Sequence, residues 1–144
     1  MKKFKVGYTT GVYDLFHIGH LRCFIDAKEL CEKLIVGVST DELVLDYKHR
    51  LPVIPFEERF EIIKSIKYVD EVVPQTTRNK IEAHKILGFD MMYVESTFRY
   101  DDIFVKAEEY LKQQGASVIY FERKTAESKS TSVLKEILLK LPNE

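Results

Sequence analysis

Phe4-Lys5-Val6-Gly7-Tyr8-Thr9-Thr10-Gly11-Val12-Tyr13-Asp14-Leu15-Phe16-His17-Ile18-Gly19-His20 opens with a short run of β-formers, Phe4 to Tyr8, and leads through a turn into a segment of helical period. In that segment Leu21, Phe24, Ile25 and Leu30 fall on one helical face. A second apolar run, Leu34 to Ser39, follows it. Strand, helix and strand in this order make a β-α-β unit with parallel strands. Working outward, the alternation continues. A helix is predicted from about Phe56 to Ile66, a strand Glu71 to Val73 ended by Pro74, and a helix about Asn79 to Leu87 stopped by Gly88. A strand Met91 to Val94, a helix about Asp102 to Gln113 stopped by Gly115, a strand Ser117 to Phe121 and a last helix about Ser132 to Leu141 complete it. Such alternation implies a parallel sheet covered by helices on both faces. Two stretches, Asp41 to Pro55 and Glu122 to Lys129, are read as loops. Both follow strands, so with the turn after the first strand they should converge on one crevice, where ligands of open parallel sheets bind.

Composition narrows the class. At 144 residues, 45% hydrophobic and 31% charged, the chain has the make-up of one ordinary globular domain spanning residues 1–144. A chain of this length buries roughly 70% of its unfolded surface and needs neither disulfides nor a structural metal. Cys23 and Cys31 are read on one helix, about 12 Å of rise apart, too far for a bond between them. That usage points to a reducing, cytoplasmic compartment. No apolar stretch has the length of a signal peptide or a membrane span, so secretion and membrane insertion are not expected. The 22 basic and 23 acidic residues are interspersed for a net charge of -1, leaving no basic stripe for nucleic acid. A small ligand is expected instead.

His17 and His20 lie three residues apart at the opening turn of the first helix, which places both imidazoles on one face. The N–H groups there have no intrahelical partner and favour an anion. Gly19 between the histidines lets a phosphate come close to the backbone. Two imidazoles, a glycine and a helix N-terminus make a site suited to a triphosphate. A metal site of His17 and His20 with Asp14 as third ligand is the competing reading, weakened by the absence of other zinc spacing motifs. Asp14 is also an ordinary turn or capping residue, as Ser130, Thr131 and Ser132 are ordinary caps before a helix. Lys48 and Arg50 read by default as solvated loop charges, and Arg59, near Glu58 and Glu61, as an exposed ion-pair partner.

The run Gly11-Val12-Tyr13-Asp14-Leu15-Phe16-His17-Ile18-Gly19-His20 resembles the G-T-F-D-L-L-H-x-G-H signature of the HxGH nucleotidyltransferase superfamily. Within it, the likeness is to the glycerol-3-phosphate and choline- or ethanolamine-phosphate cytidylyltransferases. Ser39-Thr40-Asp41-Glu42, the basic Lys48-His49-Arg50, Glu58-Arg59 and Lys67-Tyr68-Val69-Asp70-Glu71-Val72 are similar to further family segments. Arg123 followed by Ser130-Thr131-Ser132 looks like the family's R-T-x-G-I-S-T-T. Departures are equally plain. Lys67 stands for an arginine, Glu95-Ser96-Thr97-Phe98 for G-D-D-W, and two extra residues without the family's glycine separate Arg123 from Ser130. They fall where the second substrate and the base would be held.

The resemblance implies a Rossmann-like sheet of about five strands flanked by helices, a homodimer, and transfer of CMP from CTP to glycerol 3-phosphate or a similar phosphorylated alcohol. Mg²⁺ would accompany the triphosphate, no protein-held metal is implied, and pyrophosphate would leave without a covalent intermediate. His17, His20, Lys48 and Arg123 would carry the chemistry. Thr10, Gly11, Val12, Tyr13, Gly19, Asp41, Ser130, Thr131 and Ser132 would bind nucleotide, and Arg59 and Lys67 would face the acceptor. An adenylyltransferase of the same superfamily and a catalytically silent nucleotide-binding module are the alternatives.

Overall fold

The computed structural model describes residues 2–122 together with 136, 139 and 140. Strands β1 (Phe4–Gly11), β2 (Cys31–Ser39), β3 (Glu71–Gln75), β4 (Met91–Glu95) and β5 (Ser117–Phe121) form one parallel sheet in the order β3-β2-β1-β4-β5. Helices α1 (Ile18–Leu30), α2 (Asp41–Lys48), α3 (Phe56–Lys64), α4 (Lys80–Leu87) and α5 (Asp102–Gln113) connect them. Of the predicted last helix, 132–141, residues 136, 139 and 140 are helical and the others lie outside the described residues.

Alternation along β2 divides the core. Leu34, Val36 and Val38 pack with Phe24 and Ala27 of α1 and Ile63 of α3 on one face. Ile35 points to the other face, where Tyr8, Met92 and Val94 meet Phe104, Ala107 and Leu111 of α5. With both faces covered, near-continuous apolar runs are what parallel strands require. Strand order reverses at β1. The chain builds outward through β2 and β3, then returns to lay β4 and β5 on β1's other side, so the ends of β1 and β4 flank a switch point.

The structure differs from the sequence reading in three places. Residues 41–48, read as loop, form α2: Thr40 caps it by accepting from Leu43 N at 3.2 Å, Asp41 and Glu42 favour its first turn, and Leu43 and Val44 are buried. Cys31 begins β2 instead of continuing α1, and both cysteines are free. Strand β3 runs past Pro74 to Gln75, which its edge position tolerates because proline has no N–H to donate. Elsewhere the capping signals hold, with Asn79 accepting from Ile81 N and Glu82 N and Gly88 ending α4 at φ 65°.

Phe24 is wholly buried. Phe24→Ala should cost about 3–5 kcal/mol of unfolding free energy in urea titrations.

Candidate active site

A cavity of about 680 Å³ opens at the carboxyl ends of the strands. Of the residues expected at the nucleotide, Thr10, Gly11, Val12, Tyr13, His17, Gly19 and His20 line it, and so does Lys48 from α2.

The histidines are fixed by backbone. His17, extended at φ −138° and ψ 178°, caps α1 and accepts Gly19 N–H on Nδ1 at 3.0 Å. His20 returns the favour, its Nδ1 accepting His17 N–H at 3.2 Å, so the pair forms a reciprocal capping box made of imidazoles. A ring nitrogen that accepts carries no proton, which assigns the proton of each neutral ring to Nε2. Both rings therefore present Nε2–H donors, stacked with centroids 3.9 Å apart. The aromatic residues of the motif hold His20 in turn. Tyr13 meets it edge-on at 5.5 Å, and Phe16 stacks on it at 5.4 Å. Phe24 braces both Tyr13 and Phe16.

Tyr13 and Leu15 have φ of 56° and 51°, in the left-handed region that L residues seldom adopt. The turn is held there by Asp14, 2% exposed, whose carboxylate accepts Val53 N at 2.7 Å and Ile54 N at 2.9 Å. Asp14 is thus an organiser of the turn. Its oxygens, like both histidine Nδ1 atoms, are committed to backbone N–H groups, which argues against the alternative metal site.

Arg59 corrects an expectation. It was expected to face the acceptor, but it is fully buried and absent from the cavity lining. Its guanidinium donates to the carbonyls of Ile54, Val12 and Ser39 at 2.7–2.8 Å and pairs with Asp41 at 2.7 Å. Asp41, expected at the nucleotide, spends one carboxylate oxygen on Arg59 and the other on Phe56 N at 3.3 Å. Lys67 is exposed and does not line the cavity of its own chain. It precedes Asp70, whose carboxylate holds Leu34 N at 2.7 Å near the amino end of β2, away from the crevice. Arg123, Ser130, Thr131 and Ser132 lie outside the described residues.

Sequence reasoning missed Lys80, Gln75, Arg78 and Tyr47, all of which line the cavity. For Arg78 and Lys80 the signal was available, because the rule that loops after strands converge on the crevice applies equally to the segment after β3. Lys80 is 3% exposed, and its Nζ donates to Thr10 Oγ1 at 2.9 Å and to Gln75 Oε1. Burial, and secondarily the charge of Arg78, pull its pKa down to about 7. Arg78 sits over the Tyr47 ring at 4.9 Å and pairs with Asp101 at 3.5 Å. The segment that stands for G-D-D-W becomes the end of β4 and one 3₁₀ turn, Ser96–Phe98, with Glu95 and Phe98 on the cavity wall.

A crevice furnished with fixed N–H donors and cations at the end of a parallel sheet is suited to hold phosphate groups by alignment and charge. Such a crevice, at the switch point of a parallel sheet, is where folds of this kind bind their ligands. Comparison with known proteins gives the family: the cytidylyltransferase-like family model matches residues 8–142, and the chain belongs to that family. The FAD synthase of Thermococcus sibiricus is 33% identical over 140 residues, covering 95% of this chain and 94% of that protein. The FAD synthase of Pyrococcus horikoshii is 49% identical over 63 residues, 44% of this chain and 43% of its own length. The bifunctional protein HldE of Gluconacetobacter diazotrophicus is 28% identical over 130 residues, 90% of this chain but 26% of that one. Several of these matches thus span less than half of the relative. Among solved structures, a lipopolysaccharide core biosynthesis protein from Thermoplasma volcanium superposes with a TM-score of 0.69 at 19% identity, over 84% of this chain and 97% of that one. A pantoate-beta-alanine ligase from Francisella tularensis superposes at 0.59 and 14% identity, over 94% and 66%. These likenesses show the fold.

Two measurements test this account. Asp14→Asn replaces one acceptor oxygen by an N–H₂ group facing a backbone N–H, and should cost about 1–3 kcal/mol in denaturant unfolding. Between pH 7 and 10.5 the unfolded chain holds a proton on Lys80 that the folded chain has largely lost. Stability should therefore gain a rising component with pH through that window, and Lys80→Met should remove it in thermal melts across pH.

Proposed function

We propose that the protein transfers the nucleotidyl group of a nucleoside triphosphate to the phosphate of a small phosphorylated alcohol, releasing pyrophosphate. The pair of Nε2–H donors at the start of α1 carries this reading. Placed at the α- and β-phosphates, these donors tighten as the α-phosphorus becomes five-coordinate. An acceptor phosphate oxygen attacks that phosphorus. The new P–O bond forms as the bond to the bridging oxygen of the β-phosphate breaks, and pyrophosphate leaves with the electron pair. A phosphate monoester is already nucleophilic, so no general base is needed and the work is alignment and charge placement. Lys48, on the cavity wall, helps to hold the remaining phosphates. Arg123, Ser130, Thr131 and Ser132 keep the same proposed role by resemblance.

Among the described residues no three His, Cys, Asp or Glu side chains are grouped to hold a metal. With the histidine Nδ1 atoms and the Asp14 oxygens also engaged, the donor set fits a Mg²⁺ ion that would be carried by the triphosphate and would supply charge neutralisation there.

For the nucleotide, the relative that matches nearly the whole chain is named an FAD synthase, and FAD contains an adenylyl group. Adenylyl transfer from ATP is therefore the first reading. Cytidylyl transfer from CTP is the second, supported by the ten-residue likeness of Gly11 to His20 to the cytidylyltransferase signature. Among the described residues no helix is long and apolar enough to cross a membrane. The free cysteines suit the proposed cytoplasmic location, and homodimerisation rests on the family resemblance.

Pyrophosphate release from ATP and CTP, measured with a panel including glycerol 3-phosphate and riboflavin 5′-phosphate, is expected for one nucleotide with at least one acceptor. Silence with every pair would defeat the transfer reading. His17→Ala should lower turnover by about a hundredfold or more with an unchanged circular dichroism spectrum.

A further inference from the structure

The two arginines near the strand ends are used differently. Arg59 has its guanidinium engaged by four oxygen acceptors. Arg78, in the segment between β3 and α4, does not. Its Cζ lies 4.9 Å over the ring of Tyr47 from α2, and its Nη2 is 3.5 Å from Oδ2 of Asp101, the residue that caps α5. Stacking engages the face of the guanidinium and leaves the N–H groups on its edge available. The contact with Asp101 is longer than a charge-assisted hydrogen bond, and the other oxygen of that carboxylate accepts Ile103 N at 3.0 Å. Among the described residues the Arg78 guanidinium makes no closer polar contact. A planar fork is thus oriented by a ring and a carboxylate from two helices, with donors left over.

Arg78 also stands where two cavities meet. It lines the main cavity and a second one of about 290 Å³, whose described walls carry Arg78, Lys80 and Lys106 but no carboxylate. Lys80 is engaged with Thr10 and Gln75. Lys106, exposed on α5, forms no ion pair among the described residues. Asn79 already accepts Ile81 N and Glu82 N at the start of α4, so the pull on an anion here comes from side chains and not from that helix end. Arg78 and Lys106 set against Asp101 leave one positive charge over. A carboxylate balances that charge, whereas a phosphate dianion exceeds it.

We propose that the second cavity is a subsite for a carboxylate on the acceptor, gripped by Arg78 and Lys106, so that the preferred acceptor is a phosphorylated hydroxy acid and not a simple phosphorylated alcohol. This rests on the reading of the main cavity as the place of a phosphorylated acceptor. The planar fork matches a carboxylate through two parallel hydrogen bonds, which replace the single long contact with Asp101. Such an acceptor is held at both ends, and two-point attachment limits the directions from which its phosphate can approach the nucleotide. Arg78 is then a specificity-determining residue for the transfer.

Isothermal titration of the full chain with a matched pair of ligands measures the effect. Glycerol 3-phosphate and 3-phosphoglycerate differ only in a hydroxymethyl group against a carboxylate. Phosphoglycolate and 4-phosphoerythronate place the carboxylate nearer and farther, and riboflavin 5′-phosphate has none. At least one of the three phosphorylated acids should bind roughly tenfold or more tightly than glycerol 3-phosphate. Arg78→Met should bring that ratio close to one, Arg78→Lys should restore only part of it, and Lys106→Met, at an exposed position, should reduce it. Because each ratio is read within one variant, a general loss of affinity cancels. Ratios near one for all three acids, a ratio that survives Arg78→Met or Lys106→Met, or tighter binding of riboflavin 5′-phosphate than of every acid would each overturn the proposal. So would no binding of any of these compounds, or a loss of ATP and CTP affinity in Arg78→Met as large as the loss for the acids. Failure of the transfer reading is separable: carboxylate preference without pyrophosphate release would support this subsite and remove only the transfer, while release with glycerol 3-phosphate and no preference would do the reverse.

Discussion

The buried guanidinium of Arg59 holds the ends of the strands in the arrangement on which the cavity depends. It has no exposed surface, and it ties the carbonyls of Val12, Ser39 and Ile54 to the carboxylate of Asp41. Those groups belong to the turn after β1, the end of β2, the loop before α3 and the start of α2. Only a planar fork with five donors can satisfy so many acceptors at once, and a lysine could not replace it. The cost of burying the charge is offset only while every partner is in place. Asp14 works on the same loop from the other side, accepting two of its backbone N–H groups. Together they hold Tyr13 and Leu15 in a backbone region they would not choose.

On that frame the chemistry is assembled from groups whose orientation is fixed beforehand. Each histidine uses Nδ1 to close the first turn of α1, so the same hydrogen bonds that begin the helix decide which nitrogen faces a ligand. The motif residues Tyr13 and Phe16 act on this geometry as packing surfaces for His20. Preorganised donors need little reorganisation when charge develops, which is the main resource available to phosphate transfer without a covalent intermediate.

The fold is shared at low sequence identity. The Thermoplasma volcanium structure superposes over most of the chain at 19% identity. This chain departs from the cytidylyltransferase pattern at Lys67, in the segment before β3, and at Glu95 to Phe98, at the end of β4 and the turn after it. Two of those departures have different consequences here. Glu95 and Phe98 form part of the cavity wall, whereas Lys67 lies away from it within the chain. On a shared fold, function is set by the residues that the loops bring to the site.

Much of the architecture was legible in the residues because its causes are local. Apolar period marked the β1, α1 and β2 unit, Asn79 and Gly88 bounded α4, and the three-residue spacing of His17 and His20 placed both rings on one helical face. Helix α2, read within the Asp41 to Pro55 loop, carries its own signals in the Thr40 cap and the acidic first turn of Asp41 and Glu42. The roles of charged side chains were not legible. Arg59 meets Val12 across 47 residues, and Lys80 meets Thr10 across 70. Whether a charge is solvated, buried as a clamp or poised against a ligand depends on partners that only the folded chain brings within reach. Periodicity and capping signals therefore determined the strands, most of the helices and the turn that carries His17 and His20, while tertiary packing decided that Arg59 braces the cavity from beneath and Lys80 lines it.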